Sequence, residues 1–134
     1  MNRAIAVTGT RKLERGQIGR VIAELKEIDL TADLWHVGDA EGVDRLALMT
    51  IRTRGTAYQL HEKNAELPHR AQGAERSTRM IKELAATGGT LHAWVNKPCP
   101  AGLKPGRSWG KAAGSGTWGT VAIAVGYGMA TEYV

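Results

Sequence analysis

Short apolar runs alternate along the chain with longer segments in which apolar residues recur every three or four positions. The short runs predict five strands, at residues 4–8, 34–37, 56–60, 90–95 and 129–134. Apolar residues at that spacing share one face of a helix, which can then be buried. The longer segments therefore predict helices at residues 14–28, 43–54 and 74–86. An alternation of strands and helices is typical of a parallel sheet joined by right-handed crossovers.

One apolar segment, residues 121–125 (VAIAV), suits either a strand or a buried helix. Glycine-rich sequences on both sides favour a helix over residues 117–125. Residues 61–72 predict an irregular polar connection, and residues 96–113, with three prolines and three glycines, predict a long loop. We therefore expect one α/β domain over residues 1–134, with a Rossmann-like, mainly parallel five-stranded sheet and helices on both faces.

The composition fits a globular protein with anionic partners. The 134 residues suit one domain, and 43% of them are hydrophobic. The net charge of +5 favours nucleotides, nucleic acid or acidic surfaces without choosing among them. No apolar run approaches the roughly 20 residues of a membrane helix, and the apolar run after Met1 is too short for a signal peptide. We therefore expect a cytoplasmic protein without a membrane partner.

Three glycine-bearing turns stand where a strand should lead into a helix. They are residues 7–11 (VTGTR), 37–44 (VGDAEGVD) and 114–120 (GSGTWGT). A parallel sheet places all such turns on one edge, where open α/β sheets bind ligands. Free backbone N–H groups at these turns suit a phosphate.

In the first turn, Gly9 permits close approach to the backbone, Thr10 offers a hydroxyl and Arg11 a guanidinium for phosphate. An ordinary turn with Arg11 in water is the alternative. The next glycine after Gly9 is Gly16, so the dinucleotide signature G-x-G-x-x-G is absent. This argues against an ordinary NAD(P) dehydrogenase.

The second turn is more specific. Gly38 and Gly42 bracket it, and Asp39 and Asp44 stand near the start of the following helix. Either aspartate could cap that helix, which contributes about 0.5–2 kcal/mol. In the functional alternative, one of the two aspartates accepts a hydrogen bond from a ribose hydroxyl of a ligand.

The third turn supplies Gly114, Ser115, Gly116 and Thr117 ahead of an apolar helix, where hydroxyls and free N–H groups could hold a phosphate. A flexible loop with a threonine cap is the alternative. Residues 106–112 resemble a P-loop, but the gap between the glycines is too short and an alanine replaces the magnesium-binding hydroxyl. We therefore exclude an ATPase of that type.

Other residues give weaker signals. Arg76 and Arg79 share one helix face and could meet a phosphate, although a solvated cationic face is the common outcome. The four histidines lack metal-ligand spacing, so no metal or cofactor is expected. Trp109 and Trp118 flank the third turn, where either could stack on a base, and packing in the core is the alternative for Trp118. The single cysteine, Cys99, is predicted to be inert.

These segments together resemble the SLOG superfamily, and its YspA-like branch most of all. Residues 7–11 and 36–47 carry most of the resemblance, with residues 76–80 and 116–118 adding to it over nearly the whole chain. The superfamily also holds DprA and the LOG phosphoribohydrolases. The resemblance implies a Rossmann-like fold that self-associates and binds nucleotide-derived ligands such as ADP-ribose-like molecules. It implies candidate contacts at Gly9, Thr10, Arg11, Gly38, Asp39, Gly42, Asp44, Arg79, Gly116 and Thr117.

Two features depart from the family pattern. The phosphoribohydrolase turn has a glutamate three residues after its Gly-Thr pair, where this chain has Thr120. The loop at residues 96–113 is longer than the YspA-like branch leads us to expect, and could act as a lid or an oligomer contact. The apolar last helix suits a subunit interface, so we expect a homo-oligomer.

Three functions remain open from the sequence. The first is binding of a nucleotide or nucleotide-derived phosphate, as a sensor or carrier. The second is hydrolysis of an N-glycosidic bond in nucleoside monophosphates, with Asp39 or Asp44 as the catalytic candidate. The third is a single-stranded nucleic-acid module that uses the basic loop and the tryptophans.

Overall fold

The computed structural model of the chain describes residues 3–110 and 116–134, and its five strands lie where the sequence predicts them. The strands are β1 (Ala4–Gly9), β2 (Leu34–Gly38), β3 (Ala57–His61), β4 (Thr90–Trp94) and β5 (Ala130–Tyr133). The helices are α1 (Arg15–Asp29), α2 (Val43–Arg54), α3 (His69–Ala86) and α4 (Gly116–Gly126).

The strands form one sheet in the order β3-β2-β1-β4-β5. Every neighbouring pair is parallel. The chain adds β2 and β3 on one side of β1 and then crosses to the other side for β4 and β5. Successive connections therefore diverge between β1 and β4, and a crevice opens at the carboxyl ends of these two strands.

The central strand shows how the sequence divides the core between two faces. Side chains alternate across a strand, so Ile5 and Val7 pack with α1 and α2, while Ala4 and Ala6 pack with α3 and α4. Helices cover both faces of the sheet, and the predicted α/β architecture is confirmed. Among the described residues, no helix has the length and apolar character needed to cross a bilayer.

The ambiguous apolar segment is helical, as predicted. Residues 119–124 of α4 are buried, which explains why the segment is apolar on most sides. The predicted start of α3 at residue 74 was wrong, because the helix begins at His69. Pro68 precedes the helix with a φ of −54°, and the first helical turn is polar and largely exposed. An exposed turn whose one apolar residue is Ala71 leaves no periodic signal to find.

The long loop before α4 packs onto that helix. The indole of Trp109 lies against Gly119, where an added Cβ atom would come within 2.2 Å of the ring. The Gly106 amide donates to the Ala122 carbonyl at 3.3 Å, and the Trp118 indole N–H donates to the Lys97 carbonyl at 2.8 Å. Part of the outer surface of α4 is therefore covered by the chain itself.

Candidate functional site

A cavity of about 390 Å³ lies at the crevice between the carboxyl ends of β1 and β4, beside the first turn of α4. Its wall contains eight of the predicted ligand-binding residues, which come from four separate segments of the chain: Gly9, Thr10, Arg11, Gly38, Asp44, Arg76, Gly116 and Thr117. The fold therefore brings parts of all three glycine-bearing turns to one place.

The other predicted residues do not line this cavity. Asp39 lies behind the wall and pairs with Arg76. Gly42 lies under the first turn, and Arg79 points away, toward Glu75 and the Glu62 carbonyl oxygen. Gly114 and Ser115 lie outside the described residues.

Gly42 allows the backbones of the first two turns to lie in direct contact. It caps α2 with a φ of +74°, a conformation that favours glycine, and an added Cβ atom would lie 2.2 Å from the Thr10 carbonyl oxygen. The next amide, of Val43, donates to that same oxygen at 3.2 Å. The role of Gly42 is thus to let the backbone of the second turn pass directly beneath the first.

Asp44 is a buried carboxyl in the cavity wall. It is 8% exposed, and its Oδ2 accepts a 3.3 Å hydrogen bond from the Ala40 amide. Burial raises the pKa of Asp44 to about 6, although the nearby Arg76 charge acts in the opposite direction. The group therefore changes its charge near neutral pH, and it can donate or accept a hydrogen bond from a ligand there.

Arg76 reaches the cavity from α3 and is held by Asp39. Its Nη1 donates to Asp39 Oδ1 at 2.6 Å, and Asp39 Oδ2 also accepts from the Lys63 amide at 2.9 Å. Burial alone pushes the pKa of Asp39 up, but the hydrogen bonds from Lys63 and Arg76 outweigh it and lower the pKa. The Nε of Arg76 is buried and has no hydrogen-bond partner within the described part of the chain.

The cavity is strongly cationic. Besides Arg11 and Arg76, it is lined by Lys12 and Lys97, and Asp44 is the one carboxyl among the described residues of the lining. Neither lysine was among the predicted ligand-binding residues. Their positions carry a signal all the same, because each follows shortly after the carboxyl end of a central strand.

Thr10 connects the two central strands at the mouth of the cavity. Its hydroxyl accepts from the Asn96 side-chain amide at 3.0 Å and donates to the Lys12 carbonyl at 3.1 Å. Asn96, which was not predicted, thereby joins the turn after β1 to the segment after β4. The hydroxyl is committed to fixing the shape of the mouth.

Of the two tryptophans that flank the third turn, one lines the cavity and the other does not. Trp118 lines the cavity, and its ring lies 6.0 Å from that of Tyr133. Trp109 packs on α4 instead. Thr120 lines the cavity at the position of the family's glutamate, but its hydroxyl donates to the Gly116 carbonyl at 2.7 Å. No carboxylate occupies that position.

Comparison with known proteins shows that the chain shares its fold with a protein of known structure. The chain matches no protein-family model and no curated protein. It is similar in structure to the DNA processing protein A (DprA) from Streptococcus pneumoniae, with a TM-score of 0.62 over 98% of this chain at 13% sequence identity. The chain spans half the length of that protein. At this identity the likeness shows the fold alone, and the Rossmann-like fold that the resemblance implied is confirmed.

Proposed function

We propose that the cavity binds a nucleotide or nucleotide-derived phosphate of the AMP or ADP-ribose type, and that the protein acts as a sensor or carrier of that ligand. We further propose that the chain is a member of the SLOG superfamily and of its YspA-like branch. The turn sequences support this membership, together with the shared fold.

The observation that carries the proposal is the cationic wall of the cavity, where Arg76 stands with Arg11, Lys12 and Lys97. Phosphate oxygens accept charge-assisted hydrogen bonds from guanidinium and ammonium groups, so this wall suits a phosphate. Arg11 lines the same cavity, so two guanidinium groups can share one anion. The first turn of α4 adds backbone N–H groups and the positive end of its dipole.

The rest of the cavity suits a nucleoside. A volume of about 390 Å³ lies within the range of small-molecule sites. Asp44 can accept a ribose hydroxyl, while Val95, Met80 and Trp118 supply apolar surface for a base. Charge on one side and apolar surface on the other are the two requirements of a nucleotide.

The test is calorimetric titration with AMP, ADP-ribose, NAD and cyclic AMP, with adenosine as the phosphate-free control. We expect phosphate-bearing ligands to bind and adenosine to bind at least tenfold more weakly. Arg11→Gln should weaken phosphate binding at least tenfold, since a charge-assisted hydrogen bond contributes about 1.5–3 kcal/mol.

The matched control is Arg52→Gln. Arg52 is exposed on α2, where it donates to the Tyr58 hydroxyl, and it does not line the cavity. Its substitution should leave binding unchanged. No binding across the panel, or equal losses in both variants, contradicts the proposal. Binding of single-stranded DNA that falls steeply with salt, without nucleotide binding, would favour the nucleic-acid module instead.

Asp44 supports one alternative, hydrolysis of the N-glycosidic bond of a nucleoside monophosphate. Of the two catalytic candidates, only Asp44 lines the cavity, and a pKa of about 6 suits a proton donor. The discriminating experiment is release of free base from AMP by the wild type and by Asp44→Asn. Release that is lost in a folded Asp44→Asn protein would establish hydrolysis, and its absence in the wild type would leave binding as the function.

A further inference from the structure

A second cluster of polar side chains lies on the α3 face of the sheet, apart from the cavity. It consists of His36 in β2, His61 at the end of β3 and Glu83 in α3. His36 Nδ1 and His61 Nε2 are 2.9 Å apart, and His61 Nε2 lies 3.5 Å from Glu83 Oε2. One ligand atom from each residue falls within 4.8 Å of the other two.

We propose that His36, His61 and Glu83 form a binding site for one divalent transition-metal ion of the zinc type. Two imidazole nitrogens and one carboxylate oxygen form a donor set that suits zinc and its neighbours in the first transition row. Magnesium and calcium prefer oxygen ligands and fit this set poorly.

The spacing of the donor atoms supports the site. Zinc–nitrogen bonds of about 2.0–2.1 Å place tetrahedral ligand atoms about 3.3 Å apart. Two of the separations, 2.9 Å and 3.5 Å, lie on either side of that value, and the ligand atoms all lie within 4.8 Å of one another. Small side-chain rotations would therefore bring these atoms into the coordination shell of one ion.

The hydrogen bonding of the cluster leaves a place for a cation. Glu83 Oε2 is buried and has no hydrogen-bond donor among the described residues, although it faces His61. Such an oxygen is costly to leave unpaired, and a metal ion would satisfy it. The 2.9 Å contact between His36 Nδ1 and His61 Nε2 is a hydrogen bond in which one of the two nitrogens carries the proton, and a bound ion would replace it. His36 Nε2 is also unpaired in the described part of the chain, so His36 can carry its proton there and leave the lone pair of Nδ1 to the ion.

The two histidines are buried and suited to metal binding. His36 is 3% exposed and His61 is 1% exposed. Burial lowers the pKa of both imidazoles, which keeps them neutral, as a ligand must be. The Glu83 side chain is 42% exposed, so its edge of the cluster gives the ion a path from solvent.

A metal here would join three elements behind the cavity wall. It would hold β2, β3 and α3 together. His36 lies two residues before Gly38 in β2, and Glu83 lies one turn beyond Arg79 and two turns beyond Arg76 in α3. A stabilising role follows from this placement, because an ion that binds only the folded chain raises its stability.

The test uses the full chain stripped with a chelator and titrated with Zn²⁺ by calorimetry. We expect one ion per chain at micromolar affinity or better and a rise in melting temperature. Co²⁺ should give visible absorption bands of a four- or five-coordinate ion. Glu83→Gln should raise the dissociation constant at least tenfold, and His61→Gln should abolish binding.

The chain offers matched controls. His92 and Glu132 form a similar pair, with His92 Nδ1 3.5 Å from Glu132 Oε2, but without a second histidine, and Glu132→Gln should leave Zn²⁺ binding unchanged. Cys99 is an exposed thiol that could take zinc on its own, so Cys99→Ser should also bind normally.

Three results would overturn the site. The first is the absence of Zn²⁺ binding by the wild type. The others are binding that survives Glu83→Gln at full affinity and binding that depends on Cys99. Glu83 lies partly in solvent, so its variant should fold and keep the test valid if His61→Gln does not. Nucleotide titration of the same variants separates this site from the cavity, since Glu83 does not line it.

Discussion

Arg76 Nη1 donates to Asp39 Oδ1 at 2.6 Å, and this pair joins α3 to the turn after β2. The Arg76 side chain is 7% exposed, so its charge depends on this carboxylate rather than on water. The arrangement holds the guanidinium at the cavity wall while its Nε stays unpaired. Asp39 thus bears on a ligand through Arg76, without lining the cavity itself.

Replacing Asp39 with alanine should therefore destabilise the protein and weaken anion binding together. Removing the partner of a buried charged donor costs about 1–3 kcal/mol. Chemical denaturation followed by circular dichroism measures that loss. Titration with AMP measures the loss of binding.

The control is Glu75→Ala, which breaks the other arginine pair of the same helix. Arg79 and Glu75 are 3.1 Å apart, with side chains 37% and 36% exposed. Exposed pairs contribute about 0.2–1 kcal/mol, so the loss should be smaller than for Asp39→Ala. Equal losses would show that the buried pair has no special importance.

The raised pKa of Asp44 predicts a dependence of stability on pH. Asp44 binds its proton more tightly in the folded chain than in the unfolded one, where the pKa is near 3.8. Between those values the folded state holds more protons, so this group's contribution to stability falls as pH rises. The fall levels off about one pH unit above the folded pKa, near pH 7, and reaches at most about 3 kcal/mol for this shift.

Asp44→Asn removes that titration and should isolate the effect. We expect the variant to match the wild type most closely near pH 4 and to gain relative stability as the pH rises, with the gain levelling off near pH 7. Denaturation at each pH gives the difference directly. The comparison cancels the opposite contribution of the buried histidines, whose pKa values are lowered. A constant difference from pH 4 to pH 7 would contradict the buried carboxyl.

The space around Gly38 is too small for a side chain, which explains why the second turn has a glycine at the end of β2. An added Cβ atom would lie 2.7 Å from Asp44 Oδ2 and 3.3 Å from Arg76 Nε. Gly38→Ala should therefore displace both groups, reduce stability by about 1–3 kcal/mol and weaken phosphate binding. Denaturation and AMP titration measure the two effects.

Gly19 provides the opposite case for comparison. It lies within α1, and an added Cβ atom meets nothing within 4 Å. Gly19→Ala should stabilise the protein by about 0.5–1 kcal/mol without changing binding. A loss of binding in this variant would mean that the two glycines do not differ as the structure indicates.

The sequence predicted the sheet because its strands and helices differ in the pattern of apolar residues. A strand buried on both faces is a short continuous apolar run, whereas a helix buried on one face has apolar residues every three or four positions. It also predicted the meeting of residues such as Gly9, Gly38 and Gly116, because the carboxyl ends of parallel strands share one edge. The side-chain directions could not be obtained in this way. Arg76 and Arg79 share a helix face in sequence, yet one reaches the cavity and the other turns to Glu75.

Contacts between distant residues gave no sequence signal. His36, His61 and Glu83 are separated by more than 20 residues each, so no local spacing marks them as a cluster. The covering of α4 was missed for a similar reason. Trp109 lies in a segment whose prolines and glycines predicted only a loop, and its packing depends on Gly119, ten residues further on.

The packing of Trp109 on Gly119 predicts how the long loop is held. Gly119→Ala would place a methyl group in the space of the indole ring and should release the loop from α4. Limited trypsin digestion should then cleave after Arg107 several-fold faster than in the wild type, with the fragments identified by mass spectrometry. Gly116→Ala is the control on the same helix, because an added Cβ atom there meets nothing within 4 Å. Unchanged cleavage in a folded Gly119→Ala protein would mean that the loop is held by its other contacts, the Gly106–Ala122 and Lys97–Trp118 hydrogen bonds.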